Sequence, residues 1–383
     1  MLRLFTQASL HPNKTAIIDS FGTHSYQELT LRSNQVATHL LDGKTDLNEA
    51  RVAFMVSPGI DYTAVQWGIW KAGGIAVPLC ITYPLPSLTY VIEDTQAEIV
   101  ITGPEYEGIL KNYVQEKNLR WYTLEDLGHP IEPSIFPQIS TDRGAMILYT
   151  SGTTSLPKGV LTTHANIESQ VSTLIEAWNW TSEDHTLCLL PLHHVHGIIN
   201  VMSCALWAGA TVHFLHPFDA KQVLELFLEG KINVFMAVPT IYFKLISEFE
   251  AWSESERAQL HECMSRFRLM VSGSAALPVS VMETWQKISG HYLLERYGMT
   301  ETNMNTSNPY KGERRAGTVG FPLPGVELRI AENGEVFYRS PGTFMSYYKN
   351  PESTASTKDA EGWVATGDAG FFEEGTGHLR IID

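Results

Sequence analysis

The chain alternates segments of helical periodicity with short apolar segments typical of strands, and this alternation constrains its fold most strongly. Tyr26–Leu41 has apolar residues at helical spacing behind Ser25, a predicted N-cap, and Arg51–Val56 is a short apolar strand. A helix at Ala64–Lys71, a Gly-Gly stop and a strand at Ile75–Leu79 follow, and the pattern returns between residues 220 and 272. The alternation predicts an α/β fold with two doubly wound, largely parallel βα subdomains.

After Pro309 glycine and proline become dense, and two short alternating strands follow at Val326–Ile330 and Gly334–Arg339. This pattern predicts a small β-rich, barrel-like subdomain. We therefore predict one large domain that spans residues 1–383. Its subdomains are expected at approximately 1–190 and 191–308 for the βα parts and at 309–383 for the β-rich part.

The formal net charge of −15 disfavours nucleic acid and anionic membranes as partners. Leu187–Phe218 contains no charged residue, but polar residues and a Gly-Ala-Thr turn interrupt it. We predict a buried helix followed by a strand at Thr211–Leu215, and no membrane span.

Four scattered cysteines without a CxxC pair are typical of buried thiols in a reducing compartment. The first residues show neither the apolar core of a signal peptide nor an arginine-rich transit pattern. They favour the cytoplasm, with a mitochondrion or another organelle left open for a eukaryotic source.

The strongest chemical signal is a polar loop between the predicted strand Ala145–Tyr149 and the segment after Lys158. Backbone N–H groups and hydroxyls in such a loop converge on an anion, and a lysine can follow phosphate charge. The spacing is not that of a Walker A loop. We predict phosphate binding here, and the alternative is a polar surface hairpin. The loop residues concerned are Thr150, Ser151, Gly152, Thr153 and Thr154.

This loop resembles the phosphate loop of adenylate-forming enzymes, the superfamily of acyl-CoA synthetases, luciferases and peptide-synthetase adenylation domains. It departs from the usual pattern by having Ser155 in place of glycine. Three further segments match in the expected order: 269–277, 295–302 and 362–368. The similarity extends from about Leu4 to Asp383. It implies activation of a carboxylic acid as its acyl-adenylate by ATP with Mg²⁺, and CoA as the second substrate of the complete enzyme.

The resemblance also implies roles for individual residues. Lys158 is expected to track pyrophosphate, Thr300 to donate to the α-phosphate, and Glu301 to hold Mg²⁺ together with Thr153. Tyr297 is expected to stack on adenine and Asp368 to bind the ribose. The remaining residues implied to bind ATP are Ser272, Gly273, Ser274, Ala275, Glu295, Gly298 and Met299, beside the loop residues 150–154 and Lys158.

The histidine-rich run at residues 191–197 allows a metal site or an acyl site. Zinc is disfavoured because no companion cluster of ligands stands at a suitable spacing. The resemblance places His194 as a catalytic gate at the mouth of the acyl site and His196 in its lining, whereas His193 is a candidate for a buried histidine. An amino-acid substrate is disfavoured because this neighbourhood lacks an Asp for the amine.

Within the superfamily the chain resembles the malonyl-CoA synthetases in residues 191–197, 233–240, 294–301 and 305–310. A dicarboxylate needs a cation for its second carboxylate, and a guanidinium suits that task. We predict Arg296 for it, with His196, Ser272 and Met299 also in the substrate site. A structural arginine paired with Glu295 or another acid is the alternative. Methylmalonate remains open as a second substrate.

Complete members of the family continue into a smaller C-terminal domain, which we expect to be absent from a chain that ends at Asp383. The predicted partners are a small carboxylate and the chain's own or a separate C-terminal domain. Two other functions remain open. One is a truncated, non-catalytic nucleotide-binding remnant, and the other is an acyl-CoA ligase for another short or aryl acid.

Overall fold

A computed structural model describes residues 2–150 and 156–382 of the chain. The helices of this part are Arg3–Ser9 (α1), Tyr26–Leu41 (α2), Ile60–Lys71 (α3), Leu85–Asp94 (α4), Glu107–Glu116 (α5), Leu124–Gly128 (α6), His164–Ala177 (α7), Cys204–Ala208 (α8), Ala220–Leu228 (α9), Pro239–Ala251 (α10), Glu254–Ser265 (α11), Val279–Ser289 (α12) and Pro351–Thr357 (α13). A π-helix at His196–Ser203 precedes α8.

The strands of the described residues are mostly short. They are Thr15–Asp19 (β1), Gly22–Ser25 (β2), Arg51–Met55 (β3), Ile75–Pro78 (β4), Ile99–Thr102 (β5), Arg120–Thr123 (β6), Gly144–Tyr149 (β7), Gly159–Thr163 (β8), His185–Cys188 (β9), Thr211–Phe214 (β10), Val234–Ala237 (β11), Leu269–Ser272 (β12), Leu294–Met299 (β13), Asn303–Ser307 (β14), Phe321–Pro322 (β15), Glu327–Ile330 (β16), Glu335–Arg339 (β17), Ser346–Tyr347 (β18), Val364–Phe372 (β19) and Leu379–Ile381 (β20).

The predicted start of α2 is confirmed in detail. The Ser25 hydroxyl accepts a hydrogen bond from the Glu28 N–H at 3.1 Å, and the Glu28 carboxylate accepts one from the Ser25 N–H at 2.8 Å. This capping box satisfies two N–H groups that a helix start would otherwise leave without partners. The sequence pattern did not predict α11, because only Leu260 and Met264 of that helix are buried and its apolar stripe is correspondingly narrow.

Contacts divide the chain into two compact units. The first contains residues Met1–Glu168, Pro191–Ile198 and Phe344–Thr354, and the second contains Ser169–Leu190, Ile199–Thr343 and Ala355–Asp383. The subdomain boundaries predicted near residues 190 and 308 come from the sequence pattern and not from contacts, and they stay a prediction.

The first unit is built on a seven-stranded sheet in the order β18-β8-β7-β4-β3-β5-β6. The strands from β7 to β6 run parallel, whereas β8 and β18 are antiparallel to their neighbours. Apolar side chains of β3, β4 and β5 pack with those of α4 and α5 into a buried core. The predicted doubly wound arrangement is confirmed for this unit.

In the second unit a largely parallel sheet runs in the order β15-β14-β13-β12-β11-β9-β10. The strands from β10 to β13 are parallel, and β14 and β15 are antiparallel. Residues of α9, α10, α11 and α12 pack against this sheet in a core that includes Phe227, Phe235 and Trp285.

The β-rich part predicted after residue 309 is confirmed as a four-stranded antiparallel sheet in the order β16-β17-β19-β20. It has a small core of its own, with Val336, Tyr338 and Leu379 fully buried. Tyr297 of β13 packs against that core.

The uncharged segment that raised the question of a membrane span contains the π-helix, α8 and β10. No helix among the described residues is both long enough and apolar enough to cross a membrane. Three of the four cysteines, Cys80, Cys188 and Cys204, are buried, and all four are unbridged.

Gly68 sets the distance between α2 and α3. A Cβ atom at this position would lie 2.5 Å from Val36 Cγ1 and 2.6 Å from Val36 Cβ. Side chains never pack so closely, so the two helices can approach each other only with glycine at this position.

Gly68→Ala is therefore expected to lower the free energy of unfolding by about 1–3 kcal/mol, because the added methyl group overpacks the α2–α3 contact. Gly108→Ala is the matched control, since this glycine lies in α5 with no atom within 4 Å of the added Cβ. The control should be neutral or stabilising by up to about 1 kcal/mol. Urea denaturation of both variants measures the difference, and equal effects of the two substitutions would contradict the packing argument.

Candidate functional site

The candidate site of the second unit lies at the carboxyl ends of parallel strands, the edge where open α/β sheets bind ligands. Strand β12 ends at Ser272, which pairs in register with Glu295 of β13. Gly273 and Ser274 follow directly, and Ser274 adopts a positive φ of 68° that turns the chain. The Ser272 hydroxyl is buried without a hydrogen-bond partner among the described residues.

Arg296 is buried behind this turn, with 3% of its surface exposed. Its Nη2 donates to the Ser274 hydroxyl at 3.3 Å. A Cβ at Gly273 would lie 2.5 Å from the guanidinium carbon, so the guanidinium packs directly on the Gly273 backbone. Glycine is needed here because of this close approach rather than because of its own φ.

No carboxylate of the described residues forms an ion pair with Arg296, and its Nε has no hydrogen-bond partner among them. Burial lowers the pKa of Arg296 to about 9, which still leaves the guanidinium charged at neutral pH. A buried charge without a counter-ion is costly. The structure therefore presents a cation whose partner must come from elsewhere.

Arg296 and Glu295 do not form the ion pair that a structural role for this arginine would predict. Successive side chains of a strand point to opposite faces, so the two side chains diverge. The Glu295 carboxylate accepts instead from the Leu277 N–H at 3.1 Å. Burial raises the pKa of Glu295 to about 7, although this backbone hydrogen bond opposes the shift.

Tyr297 and Asp368 are brought together by the structure. The Tyr297 hydroxyl donates to the Asp368 carboxylate, and the Tyr297 ring lies 6.0 Å from that of Tyr338. The Asp368 N–H donates to the Thr366 hydroxyl at 3.1 Å, which holds this part of β19 in place. The two residues expected at the base and ribose of a nucleotide are therefore direct neighbours.

The end of β13 becomes progressively accessible. Leu294 to Arg296 are buried, whereas Tyr297, Gly298, Met299 and Thr300 are half-buried. A Cβ at Gly298 would lie 2.0 Å from the Asn303 carbonyl oxygen, so β13 and the following turn approach closely. Glu301 is buried within that turn, and Ala275 is exposed in the loop after β12.

The candidate phosphate-binding residues of the first unit lie on the β7–β8 hairpin. Residues 151–155 of the predicted phosphate loop, which include Ser151, Gly152, Thr153 and Thr154, lie outside the described residues. Of the flanking residues, the Thr150 N–H donates to the Lys158 carbonyl at 3.1 Å. Lys158 and Lys349 line a cavity of about 510 Å³.

Lys158 Nζ lies 4.9 Å from the centre of the Tyr347 ring. Sequence reasoning missed Tyr347, because it reaches this position through the pairing of β18 with β8, where Tyr347 lies opposite Val160. No local pattern indicates such a long-range pairing.

The three histidines of the run 191–197 occupy different environments. The rings of His193 and His194 lie 4.0 Å apart, and the Tyr83 ring lies 5.8 Å from that of His193. Burial, and then repulsion from His194, lowers the pKa of His193 to about 3, so its ring is neutral at physiological pH. Burial also lowers the pKa of His194. His196 is buried at the start of the π-helix.

Asn308 is a second residue that sequence reasoning did not assign to the site. Its amide donates to the carbonyls of Glu295 at 3.1 Å and Thr318 at 2.7 Å, and its Oδ1 accepts from the Arg315 N–H at 3.1 Å. The buried Asn308 amide therefore links β13 to the loop after β14 through these hydrogen bonds. Residues 305–310 belong to the resemblance to malonyl-CoA synthetases, but the hydrogen bonds of Asn308 are tertiary and have no local sequence signal.

The described residues fit an anionic ligand and a magnesium ion. Arg296 Nε and the Ser272 hydroxyl are buried polar atoms without a hydrogen-bond partner among the described residues. Glu301 supplies a carboxylate, and Mg²⁺ is commonly held by one or two carboxylates together with substrate phosphates. No cluster of three or more metal-binding side chains occurs among the described residues.

The class of protein follows from comparison with known sequences. Residues 4–348 match the family model described as AMP-binding enzyme. The chain belongs to the AMP-binding enzyme family, which confirms the resemblance drawn from the four motifs.

Individual relatives narrow this assignment. The chain is 40% identical to the mitochondrial malonate–CoA ligase of Bos taurus, over 98% of this chain and 72% of that protein. It superposes on the apo MatB structure from Rhodopseudomonas palustris with a TM-score of 0.89 and 32% identity, over 99% of this chain and 78% of that one. A malonyl-CoA ligase complex with methylmalonyl-CoA and AMP gives a TM-score of 0.84 at 30% identity, over 99% and 80% of the two chains.

The buried Glu295 makes a specific contribution to the pH dependence of stability. Because its folded pKa of about 7 lies above the ordinary value of 4.5, the folded state holds a proton that the unfolded state releases. Stability from this group is complete below pH 4.5 and is lost as pH rises through 7.

Glu295→Gln should remove this pH-dependent loss of stability. The glutamine side-chain carbonyl can still accept the hydrogen bond from the Leu277 N–H. Relative to the wild type, the variant is expected to gain about 2–3 kcal/mol in free energy of unfolding between pH 4.5 and pH 8. Denaturant titrations across this range measure it, with the exposed Glu332→Gln as control. A wild-type-minus-variant difference that does not change with pH would rule out the raised pKa.

Proposed function

We propose that the protein activates malonate as malonyl-adenylate with ATP and Mg²⁺, for transfer to CoA. The observation that carries this proposal is the buried, charged Arg296 without a carboxylate partner among the described residues. A dicarboxylate has one carboxylate for the reaction and a second for this guanidinium. The malonate-named relatives support the same substrate.

We infer that substrate and nucleotide residues meet on β13. Arg296 holds the distal carboxylate of malonate, with Ser272 beside it and Met299 and His196 in the substrate site. Tyr297 stacks on the base, Asp368 binds the ribose hydroxyls, and their mutual hydrogen bond keeps both in position. The backbone of residues 272–275, together with Glu295 and Gly298, completes the nucleotide site.

The reaction joins two anions, so charge neutralisation and orientation account for most of the catalysis. We propose that Thr300 donates to the α-phosphate and Glu301, with Thr153, holds Mg²⁺. Lys158 and the hydroxyls of residues 150–154 neutralise the departing pyrophosphate. The half-buried His194, whose lowered pKa keeps it neutral, can gate the acyl site without adding charge to it.

A pocket built around Arg296 should reject acids that lack a second carboxylate, because they would leave the guanidinium unpaired. Methylmalonate keeps both carboxylates and differs by one methyl group, so we propose it as a weaker second substrate. The ligand of one solved relative, methylmalonyl-CoA, supports this extension.

Thioester formation is proposed to use a further C-terminal domain, from the same or a separate chain. The remnant alternative is not favoured, because the residues with implied catalytic roles, including Lys158 and Glu301, are present. The compartment also stays a proposal. The N-terminal residues favour the cytoplasm, whereas the bovine relative is named as mitochondrial.

Arg296→Ala is expected to weaken malonate binding by about 100-fold or more, because a buried charge pair is lost. Calorimetric titration into the chain loaded with Mg²⁺ and a non-hydrolysable ATP analogue measures this affinity. Acetate should bind weakly to wild type and variant alike. Exposed Arg266→Ala is the matched control and should bind malonate normally.

The outcomes separate the three functions. Unchanged malonate affinity in Arg296→Ala would overturn the role of this residue. Tight binding of acetate or an aryl acid by the wild type would favour a ligase for another acid. Failure to bind the ATP analogue would favour the remnant.

A further inference from the structure

The first unit contains a second cavity, of about 480 Å³, for which the proposed reaction has no use. It lies beside α1, α2 and α3, and residues 136–139 also line it. Most of its wall is apolar, from Leu2, Phe5, Trp67 and Phe136. Its volume lies within the range of about 300–1,000 Å³ found for small-molecule sites.

One charged side chain, Lys71 at the end of α3, lines this cavity. Lys71 is only 9% exposed, and no carboxylate of the described residues forms an ion pair with it. Its Nζ lies 5.0 Å from the centre of the Phe5 ring and 6.0 Å from that of Trp67. An apolar wall with a single buried cation matches a molecule with an apolar body and one negative charge.

The hydrogen bonds of Lys71 leave room for such a ligand. Nζ donates to the Ser33 hydroxyl at 2.6 Å and to Asn34 Oδ1 at 2.8 Å, but its contact with the Thr30 carbonyl is long, at 3.4 Å. All three acceptors are neutral, and the third is near the limit of a hydrogen bond. A carboxylate oxygen that replaced the Thr30 carbonyl would give a shorter, charge-assisted bond.

We propose that this cavity is a binding site for an amphipathic monocarboxylate, with its carboxylate on Lys71 and its hydrocarbon chain along Phe5, Trp67 and Phe136. A medium-chain fatty acid has this chemistry. Burial lowers the pKa of Lys71 to about 7, the direction expected for a cation without a counter-ion, and a bound carboxylate would reverse that shift.

Calorimetric titration of octanoate and 1-octanol into the full chain tests the site. Octanoate is expected to bind with 1:1 stoichiometry, and about tenfold or more tighter than octanol, because only the acid can pair with the lysine. Lys71→Met should remove this preference. Phe136→Trp should weaken both ligands by filling the cavity without removing the charge.

Two control variants locate the binding. Exposed Lys111→Met should leave octanoate affinity unchanged. Arg296→Ala should also leave it unchanged, which separates this cavity from the proposed malonate site. Thermal unfolding checks that Lys71→Met remains folded, and Phe136→Trp provides the test if it does not.

Three results would overturn the proposal. They are absence of octanoate binding to the wild type, equal affinity for octanoate and octanol, and loss of octanoate binding in Arg296→Ala with Phe136→Trp unaffected. None of these results bears on malonate activation.

Discussion

The contact between the Arg296 guanidinium and the Gly273 backbone is the constraint on which the proposed chemistry depends. It requires a glycine at the carboxyl end of β12 and a parallel β13 in register beside it, so that Ser272 lies opposite Glu295. A buried guanidinium without a carboxylate partner is costly for the fold. That cost is the expected signature of a site that a substrate anion completes.

Side-chain alternation along β13 places three residues with different proposed functions next to one another in the sequence. Glu295 and Tyr297 point to one face of β13, where they form hydrogen bonds with the Leu277 N–H and with Asp368. Arg296 points to the other face. In the proposed site, β13 therefore presents two nucleotide residues on one face and the cation for the acid on the other. Asn308 donates hydrogen bonds to the carbonyls of Glu295 and Thr318, so contacts within the protein hold this part of β13 in position.

Local patterns predicted much of this molecule. The capping box of α2, the alternation of helices and strands, and the β-rich part after residue 309 are all short-range features, and the structure confirms them. The contacts of Lys158 with Tyr347 and of Tyr297 with Asp368 could not be predicted from local patterns. The first depends on the pairing of β18 with β8, and the second on the packing of β13 against the core of the β-rich part. The absence of an Arg296–Glu295 pair could have been predicted in part, because adjacent side chains of a strand point to opposite faces.

The most direct test of the central claim compares malonate with its monomethyl ester in ATP–pyrophosphate exchange. The ester keeps one carboxylate for adenylation and removes the charge at the other end. If Arg296 binds the second carboxylate, the wild type should favour malonate by about 100-fold, and Arg296→Met should use both acids within about threefold of each other. Equal use of the two acids by the wild type, or an unchanged preference in the variant, would contradict the account.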